Sequence, residues 1–80
     1  MSADAEIARI WEEILGVEDL RPDADFFDLG GTSLHAARVL TKTRAAFGVK
    51  LSPATLFEHP TLAGFAAQVG AASATSPPAA

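Results

Sequence analysis

Phe26-Phe27-Asp28-Leu29-Gly30-Gly31-Thr32-Ser33-Leu34 is the stretch on which the organisation of the chain turns. Up to Gly31 it belongs to an irregular segment, in which Pro22, scattered acids and the Gly30-Gly31 pair break any regular pattern from Val17 onward. From Ser33 a helical pattern begins and runs to about Phe47, where Gly48 suits the left-handed residue that closes a helix. Leu34, Ala37, Leu40 and Phe47 fall near one face, with Ala36 and Val39 beside them, and Arg38, Lys42 and Arg44 take the outer side. The irregular segment still carries Val17, Leu20, Phe26, Phe27 and Leu29. So many large apolar groups in a loop of roughly fifteen residues predict an ordered cover over the helices, anchored by Phe26 and Leu29.

Working outward, a first helix is expected from about Asp4 to Leu15. Ile7, Ile10, Trp11, Ile14 and Leu15 recur at helical spacing, Ser2 or Asp4 can cap the start, and Gly16 can close the end. Glu12 and Glu13 fall on its wet side. Downstream, Ser52 is an N-cap candidate and Pro53 a good first residue for a short third helix, to which Leu56 and Phe57 supply contacts and which Pro60 ends. Thr61 then caps a fourth helix with Leu62, Phe65, Ala66 and Val69 on one stripe, slightly weakened by Gly64. The fold class is therefore all-α, with four helices, the third short, and a long ordered loop between the first two. Residues 1–70 form the domain. Residues 71–80, rich in Ala and Ser and containing Pro77-Pro78, read as a flexible linker or tail. Such a tail fits either a module cut from a longer chain or an ordinary frayed end.

A chain of 80 residues holds one small domain, and it has no cysteine to staple it. Thiolate nucleophiles and zinc–thiolate sites are thereby excluded. No apolar run approaches the ~20 residues of a membrane span, and the start lacks the basic and apolar regions of a secretory signal, so a cytoplasmic, monomeric domain is expected. Nine of the ten acids lie within residues 1–28, whereas residues 29–80 carry Arg38, Lys42, Arg44 and Lys50 against Glu58. Four bases without interleaved aromatics are too few for a nucleic-acid groove.

Enzymatic readings are weak. Ser33 and His35 stand two apart, so on a helix they point to roughly opposite sides and cannot act as nucleophile and base. The second glycine of a nucleophile elbow is missing after Ser33. His59, beside Pro60, looks like a turn residue. The acids between 12 and 28 match no calcium loop and read as a solvated face. Gly30-Gly31 lacks the rest of a dinucleotide fingerprint. Two glycines nevertheless let the backbone turn sharply and approach a group closely. The helix start that follows offers free N–H donors and partial positive charge to a phosphate. Ser33 thus stands where a phosphate ester would be stabilised. Simple capping of the helix by Thr32 or Ser33 accounts for the same residues, although no Glu or Gln follows at the third position to complete a capping box.

Residues 26–34 also resemble the attachment motif of the thiolation domains, or peptidyl carrier proteins, of nonribosomal peptide synthetases: an aromatic, two residues, then Leu-Gly-Gly-x-Ser-Leu. Ile10-Trp11 through Leu15-Gly16, Phe47-Gly48-Val49 through Leu51, and Leu56-Phe57-Glu58-His59-Pro60-Thr61-Leu62 extend the resemblance over about residues 4–70. It implies a bundle of the acyl-carrier type and a carrier that catalyses nothing itself. A phosphopantetheinyl transferase, using coenzyme A and magnesium, would place 4′-phosphopantetheine on Ser33, flanked by Gly31, Thr32 and Leu34. The arm's thiol would carry aminoacyl or peptidyl thioesters to adenylation, condensation and thioesterase or tailoring domains. Docking would involve Leu34, Arg38 and Phe57. Two positions depart from the family: Thr32 replaces a common His or Asp, and Thr43 replaces a large aliphatic. An acyl carrier of polyketide or lipid metabolism and a non-covalent helical interaction module are the alternatives.

Overall fold

The computed structural model describes residues 3–75 and contains, in order, α1 (Ala3–Leu15), α2 (Ser33–Phe47), α3 (Pro53–Glu58) and α4 (Leu62–Thr75). The helix α1 lies against α4 and α2, and the short α3 closes the bundle by touching both α2 and α4. The stripe of α1 works as its spacing predicts: Ile7, Ile10 and Trp11 are buried, and Ile14 and Leu15 are half-buried against the same core. Gly16 ends the helix at φ +68, in the left-handed region, with its N–H donating to the Glu12 carbonyl at 2.9 Å. Asp4 lies inside the first turn, where its charge complements the helix dipole, so it is not the N-cap. Ser2, the other cap candidate, lies outside the described residues.

The inward face of α2 differs from the expectation. Ala36, Val39 and Thr43 are buried and Leu40 and Phe47 half-buried, whereas Ala37 is exposed and Leu34 is 63% exposed. Apolar residues occupy more than one side of this helix, so its own period does not select a face. Packing selects the side on which the small Ala36 and Thr43 let α2 approach its neighbours closely. Thr43 is itself buried in the core, but its Oγ1 has no hydrogen-bond partner among the described residues, and neither does the Trp11 Nε1.

The long loop is ordered by backbone pairing that the sequence pattern does not show. The Phe26 N–H donates to the Pro60 carbonyl at 2.7 Å, the Leu62 N–H to the Ala24 carbonyl at 2.9 Å and the Ala63 N–H to the Pro22 carbonyl at 2.8 Å, around an isolated antiparallel bridge between Asp25 and Thr61. The loop is thus stitched to the start of α4. Phe26 is fully buried, as its anchoring role requires, and Leu29 packs half-buried beside it. The acids here are not all a solvated face. Asp25 is half-buried and its Oδ1 accepts from the Phe27 and Asp28 N–H groups at 2.8 and 3.1 Å, a side-chain turn that shapes the approach to the glycines.

Ser52 occupies the N-cap of α3, with Pro53 behind it, but its hydroxyl makes no capping bond; the Thr55 N–H instead reaches the Ser52 carbonyl at 3.0 Å. Leu56 is buried, while Phe57 points outward. Thr61 does cap α4, accepting from the Gly64 N–H at 3.1 Å, and Leu62, Phe65, Ala66 and Val69 are buried as expected. The linker expectation from residue 71 is corrected in part: α4 continues to Thr75, and Ala72 packs against the core. Alanines are the best helix formers, so this composition propagates a helix already begun as readily as it makes a linker. Residues 76–80, the rest of the expected linker, lie outside the described residues.

Candidate functional site

Five of the six aromatic rings form a chain from the core to the exposed Phe57. Phe65 meets Trp11 at 6.1 Å, Trp11 meets Phe26 edge-on at 5.1 Å, Phe26 meets Phe27 edge-on at 5.3 Å, and Phe27 stacks flat on Phe57 at 5.2 Å. Edge-on and stacked pairs each add about 0.5–1.5 kcal/mol beyond burial. They hold the loop, and with it the approach to α2, in one place.

From Phe26 the backbone folds back tightly. The Leu29 N–H donates to the Asp25 carbonyl, the Gly30 N–H to Phe27 and the Gly31 N–H to Phe26, all at 3.0–3.1 Å. Gly30 takes φ +94, which an L side chain resists. Gly31 is constrained differently: a Cβ there would overlap the Phe26 ring and lie 2.7 Å from the Phe26 carbonyl oxygen. The double glycine therefore brings the loop onto its own anchor and delivers the chain to the helix start.

Thr32 is the N-cap of α2, with extended backbone at φ −116 and ψ 177. Its Oγ1 accepts from the His35 N–H at 3.4 Å, while its own N–H donates to His35 Nδ1 at 3.0 Å. The capping box that looked incomplete is complete, because an imidazole at the third position does the work of Glu or Gln. The spacing was visible in the sequence; the acceptor role of a histidine there was not. Ser33 follows as the first helical residue, exposed, and Leu34 stands beside it. The N–H groups of Ser33 and Leu34 have no intrahelical acceptor and face outward with the positive end of the dipole. An anionic group on Ser33 Oγ would meet these donors and no acid in the first turn of α2.

Among the described residues, Leu34 and Phe57 are the exposed large hydrophobics, the latter at 55%. Arg38 is exposed one turn beyond Leu34. His59 caps the end of α3 with its N–H on the Thr55 carbonyl, and His35 is engaged with Thr32, so neither ring is seen bonded to Ser33. An open groove of about 370 Å³ lies between α1 and α2, lined by Glu13, Ile14, Ala37, Arg38, Thr41 and Lys42, and Ser33 is not part of it. Its Glu13–Lys42 pair, at 3.3 Å, is solvent-exposed on both sides and of little energetic weight. No group of three or more His, Asp or Glu among the described residues is arranged to hold a metal ion. The geometry thus offers an exposed Ser33 at the helix start, with the exposed Leu34 directly after it and Arg38 one turn further along α2.

Known proteins share both the pattern and the fold. The family pattern described as a phosphopantetheine attachment site matches residues 5–69. Tyrocidine synthase 3 of Brevibacillus parabrevis is 45% identical over 69 residues, which is 86% of this chain and 1% of that protein. Phosphinothricin tripeptide synthetase PhsB of Streptomyces viridochromogenes is 45% identical over 74 residues, 92% of this chain and 6% of that protein. The chain therefore spans a very small share of these curated relatives. BlmI, a type-II acyl-carrier protein from Streptomyces verticillus involved in bleomycin biosynthesis, superposes with a TM-score of 0.81 at 36% identity, covering 86% of this chain and 83% of that one. A peptidyl carrier protein solved with the phosphopantetheine transferase Sfp and coenzyme A gives 0.85 at 31% identity, covering 89% and 92%. The chain thus belongs to the phosphopantetheine-attachment family, and its fold is that of the peptidyl carrier, or thiolation, domains of nonribosomal peptide synthetases.

Proposed function

We propose that Ser33 Oγ is the attachment point for 4′-phosphopantetheine and that the domain carries aminoacyl or peptidyl groups between the catalytic domains of a nonribosomal peptide synthetase. The exposure of Ser33 at the first position of α2, directly behind the Gly30-Gly31-Thr32 turn, carries this reading. In attachment, the Ser33 hydroxyl attacks the coenzyme A phosphorus that bears the pantetheine. The new O–P bond forms as the pyrophosphate P–O bond breaks, adenosine bisphosphate leaves with the electron pair, and the hydroxyl proton passes to a base of the transferase. The bound arm supplies a thiol that holds the cargo as a thioester. This chain's residues contribute position: Gly31 seats the loop on Phe26, Thr32 sets the helix start, and the first-turn N–H groups stabilise the phosphodiester.

Leu34 and Phe57 offer apolar contact and Arg38 a cation, which suits them to dock the transferase and then adenylation, condensation and thioesterase or tailoring domains. The carrier domain extends beyond residue 70 to the end of α4, and the cytoplasm, where coenzyme A is available, is its place of work. The likeness to a type-II acyl carrier supports a second reading, in which the cargo is an acyl group. Intact-mass analysis after incubation with a promiscuous phosphopantetheinyl transferase and coenzyme A tests the attachment. A gain on the wild type that is absent from Ser33→Ala is expected; no gain, or an undiminished gain on the variant, rejects it. Loading by adenylating enzymes, against malonyl transferases, separates the two cargo classes.

A further inference from the structure

We propose that His35 is a positioning residue for attachment, setting through the capping box the fraction of molecules that present Ser33 in a transferable arrangement. The inference rests on Ser33 being the attachment residue. The first turn of α2 has little packing to hold it. Thr32, Ser33 and Leu34 are all exposed, and the first buried side chain of the helix is Ala36. What holds the turn is local: the Thr32 N–H on His35 Nδ1 at 3.0 Å, the His35 N–H on Thr32 Oγ1 at 3.4 Å, and the approach of Thr32 Oγ1 to the same Nδ1 at 3.1 Å. Ser33 sits inside this ring of contacts, between the two residues that make it. Loss of the imidazole leaves the Thr32 N–H without its acceptor and frees the turn to fray, and a frayed turn moves Ser33 Oγ.

The geometry also specifies the chemistry of the ring. Where Nδ1 accepts the backbone N–H of Thr32 it carries no proton, and the ring's N–H is the one on Nε2. Histidine does here what Glu or Gln does in an ordinary capping box, with fewer rotatable bonds to immobilise. A transferase that accepts only the ordered turn sees a reduced concentration of competent carrier when the cap is lost, which raises the apparent KM and leaves kcat at saturation unchanged.

The test measures transfer of phosphopantetheine from coenzyme A to wild type, His35→Ala and His35→Gln by mass spectrometry, with varied carrier concentration. His35→Ala is expected to lower kcat/KM about fivefold, as loss of a helix cap implies, entirely through KM, while far-ultraviolet circular dichroism stays that of a folded bundle. Faster amide exchange should be confined to residues 32–36. His35→Gln, whose Oε1 can take the Thr32 N–H, should restore the wild-type value. Equal kcat/KM for wild type and His35→Ala, or failure of Gln to rescue, overturns the positioning role alone. A wild type that gains no mass overturns the attachment reading and this inference with it.

Discussion

Gly31 lies so close to Phe26 that a Cβ at position 31 would penetrate the aromatic ring and come within 2.7 Å of the Phe26 carbonyl oxygen. The backbone at Gly31 is not left-handed, so alanine is excluded by space and not by dihedral strain. Because one of the opposing atoms is backbone and the ring is fully buried, neither can yield cheaply. Gly31→Ala is therefore expected to destabilise by about 1–3 kcal/mol, the range for forcing extra volume into a packed site. Urea denaturation measures it. Unchanged stability would show that the loop can lift off its anchor.

Thr43 makes the opposite case, since its buried hydroxyl has no partner among the described residues. Valine has nearly the same shape and removes the unpaired group. Thr43→Val should raise stability by about 1 kcal/mol and leave phosphopantetheine transfer unaltered, as read from the urea midpoint and from mass gain. A loss of stability would reveal that the hydroxyl is satisfied in solution.

Phe27 and Phe57 stack with their planes 3° apart, yet only Phe57 is exposed. Phe57→Ala should cost about 1 kcal/mol or less, the worth of a surface aromatic pair, while slowing transfer and loading through lost contact with partner enzymes. Phe27→Ala removes a half-buried ring that touches both Phe26 and Phe57 and should cost about 2–4 kcal/mol. Thermal unfolding set beside transfer kinetics should thus rank the two variants in opposite orders.

A chain ending at residue 70 loses the last turn of α4 and the packing of Ala72 against the core. It should unfold about 1 kcal/mol more easily than the full chain. Equal midpoints in urea would mean that residues 71–75 contribute nothing to the folded domain.

Most of the helix boundaries and the place of Ser33 were legible in the amino-acid sequence because their signals are short in range. Ile7, Ile10, Trp11, Ile14 and Leu15 carry the period of α1 by themselves; Gly16, Gly48 and Thr61 end or begin helices through bonds within four residues; Gly30-Gly31 announces a sharp turn. The attachment pattern is equally local. Tertiary structure alone decided the rest. It turned Ala36, Val39 and Thr43 inward and Leu34 outward, because α2 is apolar on more than one side and only its neighbours choose between them. It tied Phe26 to Pro60 and Ala24 to Leu62, a pairing across more than thirty positions that no local period encodes. It also made His35 the partner of Thr32, since the residue type permits several roles and only the rotamer taken in the folded chain brings Nδ1 to the Thr32 N–H.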